Sequence, residues 1–100
     1  MKKHTVLILP SAKKDIYEAR KWYSQHNVEL PKRFKEELKH ITEALKLPPS
    51  VHAIRYKNVR FVQFYSFPYA IHYFIDEASY TVNIIAVLHT AINPERWRNP

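Results

Sequence analysis

Three basic side chains and a tyrosine lie close together in the middle of the chain and could act on a phosphodiester. These residues are Arg55, Tyr56, Lys57 and Arg60. Cationic groups bind phosphate and stabilise the charge that develops when the RNA backbone is cleaved, and an aromatic ring stacks on a base. The alternative is a solvated strand edge, where positive charge discourages aggregation. We prefer this alternative for Lys57, whereas Arg60 has either a functional role or a structural salt bridge.

A second group of such residues lies near the end of the chain, in the stretch VLHTAINPERW at residues 87–97. Attack by a ribose 2′-hydroxyl requires a base, an acid and positive charge near the phosphate. His89 can transfer protons near neutral pH, but at the end of a strand its ring nitrogens could equally cap the sheet. Trp97 only donates a hydrogen bond, and Arg96 and Arg98 add charge without a base. The stretch therefore favours a binding role modestly over a nuclease.

The absence of two residue types excludes several kinds of site. The chain has no cysteine, and hence no thiol nucleophile or thiolate zinc site, and it has no glycine, which excludes a glycine-rich phosphate loop. The six histidines show no metal-binding spacing, so we predict no metal and no cofactor. Without glycine, turn positions with positive φ are expected to fall to Asn or Asp, or to be avoided by longer loops.

The composition indicates a single basic domain over residues 1–100. The chain has 46% hydrophobic residues and a formal net charge of +7, so it can fold, and it favours an anionic partner such as nucleic acid or an acidic protein. Residues 1–50 hold 11 basic and 6 acidic side chains. The charge could also serve solubility alone. The first apolar stretch is too short for a signal peptide or a membrane span, and we expect a cytoplasmic protein without a membrane partner.

Two stripes of apolar residues at helical spacing predict two amphipathic helices, which follow a short strand at residues 4–9. The stripes are Ala12, Ile16, Ala19 and Tyr23, then Phe34, Leu38, Ile41 and Leu45. Ser11 is placed to cap the first helix, which should end around Gln25–Asn27. Pro31 suits the first position of the second helix, and Pro48–Pro49 should end it. The short link between the two predicts an antiparallel helical hairpin.

The period of the apolar residues changes to two in the second half of the chain. This spacing predicts strands at Asn58–Tyr65, Tyr69–Asp76 and Tyr80–His89, joined by short links into antiparallel hairpins, and Val51–Tyr56 can form a preceding arm. On the middle strand, His72 is better explained as a packed imidazole than as an acid-base group. The fold class is therefore α+β, in the order β-α-α-β-β-β, with a two-helix hairpin packed on one face of an antiparallel sheet.

These elements and motifs resemble the RelE/ParE superfamily of bacterial toxins, the toxin halves of type II toxin–antitoxin systems. The stretch AKKDIYEARKWY looks like the family's A-x-x-D-hydrophobic opening, and a strand arginine precedes F-P-Y as in the family. The end of the chain looks like the ParE-like ending H-x-x-R-x-P-x-x-W. The matching positions are Ala12, Asp15, Ile16, Arg60, His89, Pro94 and Trp97. The arginine position of that ending holds Ile92.

The resemblance implies a growth-inhibiting toxin with one of two targets. The ParE-like branch, which we favour, inhibits DNA gyrase without being an enzyme, and the RelE-like branch cleaves mRNA in the ribosome. Residues expected to bind the target are Arg60, His89, Arg96, Trp97 and Arg98. The candidates for catalysis, if the protein is a ribonuclease, are Arg60, His89, Lys57 and Arg55. A third interpretation, suggested by Ile92, is an inactive or repurposed member.

The resemblance also implies an antitoxin partner that lays an acidic segment across the helices and the sheet edge. The basic first half of the chain suits such a partner by charge complementarity. Trp22 is expected beside the core stripe of the first helix, where an exposed tryptophan is a favoured interface anchor. The candidate contact residues are Trp22, Arg20, Lys35 and Lys39. A solvated helical hairpin is the alternative explanation for these charges.

Overall fold

Two helices and five strands make up residues 3–46 and 52–91, which the computed structural model describes. The elements are β1 (Thr5–Ile8), α1 (Pro10–Ser24), α2 (Glu29–Ala44), β2 (Ile54–Tyr56), β3 (Val59–Gln63), β4 (Tyr69–Asp76) and β5 (Thr81–His89). The strands form one sheet in the order β1-β5-β4-β3-β2. The predicted α+β class and the order β-α-α-β-β-β are confirmed, with β2 as the short preceding arm.

The sheet is mixed because its first strand runs parallel to its last. Strands β2 to β5 form the predicted antiparallel hairpins, whereas β1 pairs in parallel with β5, Thr5 opposite Thr81 and Ile8 opposite Ile84. The expectation of a wholly antiparallel sheet therefore fails at one pair. The period of a strand's own residues shows which side chains are buried, but it contains no information about which distant strand will be the neighbour.

The hydrophobic core lies between the two helices and one face of the sheet. Both predicted helical stripes point into it, and the sheet contributes Ile71, Tyr73, Val82, Ile84 and Val87, all at most 2% exposed. An aromatic cluster fills one end, where the rings of Phe34 and Phe64 stack with centroids 4.5 Å apart. Burial of each such side chain contributes roughly 1.5–3 kcal/mol. This packing fixes both helices on the same face of the sheet.

Both helices begin earlier than the sequence predicted, and Ser11 does not cap α1. The first helix starts at Pro10, and the Ser11 hydroxyl donates instead to the carbonyl oxygen of Ile85 at 2.6 Å. The second starts at Glu29, whose N–H is accepted by the Asn27 side chain at 2.8 Å. The cap prediction was wrong because a tertiary partner on β5 takes the serine hydroxyl. Residues 48 and 49, predicted to end α2, lie outside the described residues.

A β-bulge in β5 changes which of its residues face the helices. His72 on β4 lies opposite Ala86, and the next residue, Tyr73, lies opposite Ile84, so Ile85 is an extra residue in β5. The alternation of side chains therefore shifts by one position at the bulge. As a result Val87, like Ile84 before the bulge, faces the helical layer.

The sheet face opposite the helices contains a small second cluster. His72 is fully buried there, with the ring of Phe61 4.0 Å from its own ring and that of Tyr56 at 6.3 Å, measured between centroids. Burial lowers the pKa of the imidazole from 6.5 to about 4. The sequence-based interpretation of His72 as a packed imidazole is in agreement with this position. The ring is neutral at physiological pH.

Two turn residues with positive φ are neither Asn nor Asp, contrary to the expectation from the missing glycine. Among the described residues these are Lys57, with φ of 48°, and Tyr80, with φ of 52°. The pairing of Tyr56 with Val59 leaves Lys57 and Asn58 as a two-residue turn, and its first position has the left-handed backbone. The register of the sheet, and not local preference, therefore decides which residue takes this conformation.

Replacing Lys57 by Asn should stabilise the protein. A left-handed conformation costs a lysine about 1 kcal/mol more than it costs an asparagine, so the free energy of unfolding in urea should rise by about that amount. Lys57→Gln removes the same charge but has no preference for positive φ, and it should leave stability unchanged. Equal stabilisation by both variants would mean that the charge, and not the backbone, is responsible.

Acid should destabilise the protein through His72. Because its folded pKa is about 4 and its ordinary pKa is 6.5, the stability contributed by the neutral ring is complete above pH 6.5 and is lost as the pH falls through 4. This shift corresponds to roughly 3 kcal/mol between pH 7 and pH 4. The free energy of unfolding in urea should therefore fall between pH 7 and pH 4 by about that much less in His72→Gln than in the wild type. The control His40→Gln, at an exposed position on α2, should keep the wild-type pH dependence.

Candidate functional site

A groove of about 650 Å³ lies between α1, the beginning of β4 and the end of β5. Its walls are mostly apolar and aromatic, and two carboxylates lie on the helical side. The lining residues are Asp15, Glu18, Ala19, Trp22, Tyr23, Pro68, Tyr69, Val87, Leu88 and His89. This combination of apolar walls and a few polar groups is typical of a binding site. We call it the α1–β5 groove.

Two hydrogen bonds hold α1 against β5 and set the shape of the groove. Strand β1 pairs with β5 only as far as Ile84. Beyond that point the Ser11 hydroxyl donates to the Ile85 carbonyl at 2.6 Å, and the Asp15 carboxylate accepts the N–H of Val87 at 3.0 Å. The first turns of the helix thus bind edge groups of β5 beyond the end of β1. Without Asp15, the backbone N–H of the buried Val87 would lose its acceptor.

Spacing along α1 brings three polar or aromatic residues to the groove. Asp15, Glu18 and Trp22 follow each other at intervals of three and four residues, so they lie on one face of the helix. Tyr23, from the core stripe, reaches the inner wall. The sheet completes the groove with Tyr69 from β4.

The buried groups in the groove have perturbed acidities. Burial raises the pKa of the Asp15 carboxyl, and the hydrogen bond from the Val87 N–H partly offsets this. Burial also raises the pKa of the Tyr69 phenol, helped by the nearby Asp15 charge, and that of Tyr23. Both phenols are therefore neutral at physiological pH, and the carboxylates of Asp15 and Glu18 give the groove a negative character in a protein of net charge +7.

His89 lies at the far end of the groove, as the last residue of β5. Its ring is 5.2 Å from that of Tyr69 between centroids, and its Nδ1 atom accepts the N–H of Ala91 at 3.0 Å. Because Nδ1 is the acceptor, the neutral ring carries its proton on Nε2. The imidazole thus caps the turn that follows the strand.

Trp22 forms the outer rim of the groove. Its side chain is 53% exposed, and its ring stacks on that of His26 with centroids 4.0 Å apart. The His26 ring is held in place by a hydrogen bond of 2.9 Å between its Nδ1 and the Trp22 carbonyl oxygen. The tryptophan is therefore a large apolar surface in a restrained position, as expected of an interface anchor.

The basic residues between positions 55 and 60 do not join His89 in one site. Arg60 lies opposite Tyr73, and His89 lies opposite Tyr69, four residues earlier on the same strand. Four residues of a strand span roughly 13 Å. Arg60 is half-buried, and its guanidinium donates to the His52 carbonyl oxygen at 2.7 Å, so it has a structural contact.

Arg55 and Lys57 lie nearer to the other sheet face than Arg60 does. The Arg55 guanidinium is 5.9 Å from the centre of the Phe61 ring, and Phe61 pairs with His72 on the helix-free face. Lys57 is exposed in the turn between β2 and β3. Arg60, by contrast, lies opposite Tyr73, which belongs to the helix-side core. Of the candidates for a catalytic site, Arg55 thus lies toward the helix-free face, whereas Arg60 and His89 pair with helix-side residues of β4 that are four positions apart.

Residues 3–46 and 52–91 contain neither a cluster of metal-binding side chains nor a helix that could span a membrane. No three His, Asp or Glu side chains there are grouped in a way that could hold a metal ion. Neither of the described helices has the length and apolar character needed to span a bilayer.

The sequence matches the profile of the family described as "ParE toxin of type II toxin-antitoxin system, parDE" over residues 6–94. This chain belongs to the ParE toxin family. Of its expected family positions, Asp15 now has a physical explanation, because its carboxylate binds α1 to β5. No sequence among the curated proteins is significantly similar to it.

Solved structures of toxin–antitoxin complexes have the same fold as this ParE-family chain. One is a chain of the chromosomal ParDE system from P. aeruginosa, with a TM-score of 0.69 and 12% sequence identity over 86% of this chain and 95% of that one. Another is a chain of the RelBE2 complex from Mycobacterium tuberculosis, with a TM-score of 0.66 and 21% identity over 87% and 98% of the two chains. At these identities the likeness concerns the fold alone.

The expected antitoxin contacts of this ParE-family toxin lie on different surfaces. Trp22 lines the α1–β5 groove, whereas Arg20 lines a shallow groove on the other side of α1, beside Tyr17 and Pro31. Lys35 and Lys39 are exposed one turn apart on α2. The other expected target-binding residues, Arg96, Trp97 and Arg98, and the divergent Ile92 lie outside the described residues.

The groove itself was not predicted from the sequence. The spacing of Asp15, Glu18 and Trp22 along the first helix was available as a signal, but Tyr23 was assigned to the core and Tyr69 to a packed strand. The missing information was the bulge in β5, which brings Val87 and His89 to the helix face.

Removing the carboxylate of Asp15 should weaken the attachment of α1 to β5 and lower the stability of the protein. Asp15→Ala leaves the buried N–H of Val87 without its acceptor, which should lower the free energy of unfolding by roughly 1–3 kcal/mol. Asp15→Asn keeps an acceptor and should cost less. Glu18→Ala, on the exposed side of the same helix, should leave stability nearly unchanged in thermal and urea unfolding. If Asp15→Ala unfolds like the wild type, the hydrogen bond does not hold α1 to β5.

Proposed function

We propose that this ParE-family toxin arrests bacterial growth by inhibiting DNA gyrase, and that a cognate acidic antitoxin neutralises it in the cytoplasm. The supporting observation is the separation of His89 from Arg60, whose partners on β4 are four residues, or roughly 13 Å, apart. A ribonuclease needs proton transfer and positive charge at one phosphate. Within the described residues, the proton carrier and the cations of the basic cluster therefore do not meet at one place.

The surface chemistry supports a protein target over a reacting phosphate. His72 is buried and neutral, and the Nδ1 atom of His89 already accepts a backbone N–H. The exposed Trp22 beside an apolar groove is a feature of protein interfaces, where aromatic anchors account for much of the binding energy. Inhibition by binding requires no catalytic group from the toxin.

An antitoxin partner is consistent with the distribution of charge on the helices. Lys35 and Lys39 are exposed on α2, and Arg20 lines the groove on the outer side of α1. An acidic segment laid across these cations would associate rapidly through electrostatic steering. Ordering of a disordered antitoxin arm on binding would fit the same surface.

The second candidate function is ribosome-dependent cleavage of mRNA. The observation in its favour is the group on the helix-free face, where Arg55 lies over Phe61 and Lys57 occupies the adjoining turn. Cations beside aromatic rings suit contact with phosphates and bases of single-stranded RNA. An inactive member, suggested by Ile92, is the third possibility.

Purified toxin should block the supercoiling of plasmid DNA by gyrase and leave mRNA intact in a translating extract. Trp97→Ala should weaken inhibition about tenfold or more, as expected for the loss of an interface tryptophan. The exposed tyrosine variant Tyr65→Ala, on the β3–β4 turn, serves as a control that should inhibit like the wild type. Addition of the cognate antitoxin should restore supercoiling.

The reverse pattern would contradict the gyrase proposal. If mRNA is cut within ribosomes, if supercoiling is unaffected, and if Arg60→Ala combined with His89→Ala abolishes the cutting, the protein is a RelE-like ribonuclease. If neither gyrase nor mRNA is affected by a folded protein, the family member is inactive against both targets.

A further inference from the structure

Among the described residues that line the α1–β5 groove there are two carboxylates and no lysine or arginine. Asp15 and Glu18 lie on its helical wall, although the chain as a whole carries a net charge of +7. Within residues 3–46 and 52–91 neither carboxylate lies within ion-pair distance of a basic group; in this part of the chain Lys46 pairs with Glu43, and the His4 ring lies 3.6 Å from Glu77. The groove therefore attracts cations on a surface that mostly attracts anions.

The apolar walls determine the shape of the cation that fits. Ala19 and Val87 are buried, and Leu88 adjoins them, so they can line the hydrocarbon stem of a long side chain. Trp22 on the rim and Tyr69 on the sheet provide aromatic rings, which attract a guanidinium or ammonium group through their faces. Glu18 offers a carboxylate that has no ion-pair partner among residues 3–46 and 52–91.

We propose that the α1–β5 groove binds an arginine or lysine side chain presented by a partner protein between apolar residues. The stem lies along Ala19 and Val87, and the cationic head meets Glu18 and the ring of Trp22. Charge complementarity selects this occupant, because an acidic segment would be repelled by both carboxylates. The inference does not depend on whether gyrase or the ribosome is the target.

A short peptide tests the proposal on the full-length protein. The probe is acetyl-Ala-Leu-Arg-Leu-Ala-amide, and its matched control carries citrulline, which is neutral and nearly the same shape, in place of arginine. Binding is followed by NMR through the indole N–H of Trp22 and the amide of Val87. The arginine peptide should bind at least fivefold more tightly than the citrulline peptide, and both signals should shift.

Variants locate the site. Glu18→Gln should bring the affinity for the arginine peptide to that for the citrulline peptide, and Trp22→Leu should weaken both. Both positions are exposed on α1, so the fold should be kept. The control Glu36→Gln, at an exposed carboxylate on α2, should retain the preference for arginine.

Three outcomes would overturn the proposal. Equal affinity for the two peptides would show an apolar groove without cation recognition, and shifts confined to other surfaces would place the site elsewhere. In the third outcome, the wild-type chain fails to bind the arginine peptide while the double variant Arg96→Ala, Arg98→Ala binds it. This result would identify the chain's own basic end as the occupant of the groove. Because no gyrase or ribosome is present, failure here leaves the gyrase assay to decide the proposed function separately.

Discussion

The attachment of α1 to β5 is the interaction on which the rest of the structure depends. Strand β1 is short, and where its pairing with β5 ends at Ile84, the side chains of Ser11 and Asp15 bind the next backbone groups of β5. The bulge at Ile85 then brings Val87 to the helix side. The β-bulge and the two side chains that hydrogen-bond to the backbone beside it thus set the position of the first helix and form a groove next to it.

The groove contains an exposed tryptophan and a second carboxylate, which are not needed to attach α1 to β5. The carboxylate of Asp15 is partly buried to bind the Val87 N–H, and burial raises its pKa. Its charge lies near Tyr69, Trp22 is exposed at the rim, and Glu18 adds a second carboxylate. The Val87 N–H and the charge of Lys14 offset only part of the desolvation of the Asp15 carboxylate, so a cationic partner would be physically favourable at this place.

Membership in the ParE toxin family identifies the kind of protein, whereas the geometry of the sheet bears on how it could act. The family match extends over residues 6–94, and the solved neighbours belong to toxin–antitoxin complexes. Of the described residues expected to act on a target, Arg60 and His89 are separated by roughly 13 Å along β4, and Arg60 is engaged by the His52 carbonyl. This separation is easier to reconcile with a binding surface than with a single catalytic centre, because binding can be spread over a wide area whereas catalysis requires contact at one atom.

Local patterns in the sequence were enough to predict the two helices, the three long strands, the α+β class and the family, because helical and strand periods are properties of neighbouring residues. They placed Ala12, Ala19 and Phe34 in the core and His72 in a packed strand correctly. Only the tertiary structure decided that β1 lies parallel to β5, that Ser11 binds Ile85 instead of capping its helix, and that Lys57 takes a left-handed turn. Each of these depends on which distant backbone group comes within reach, and that is set by how the helices and strands pack together and not by any residue's neighbours in the chain.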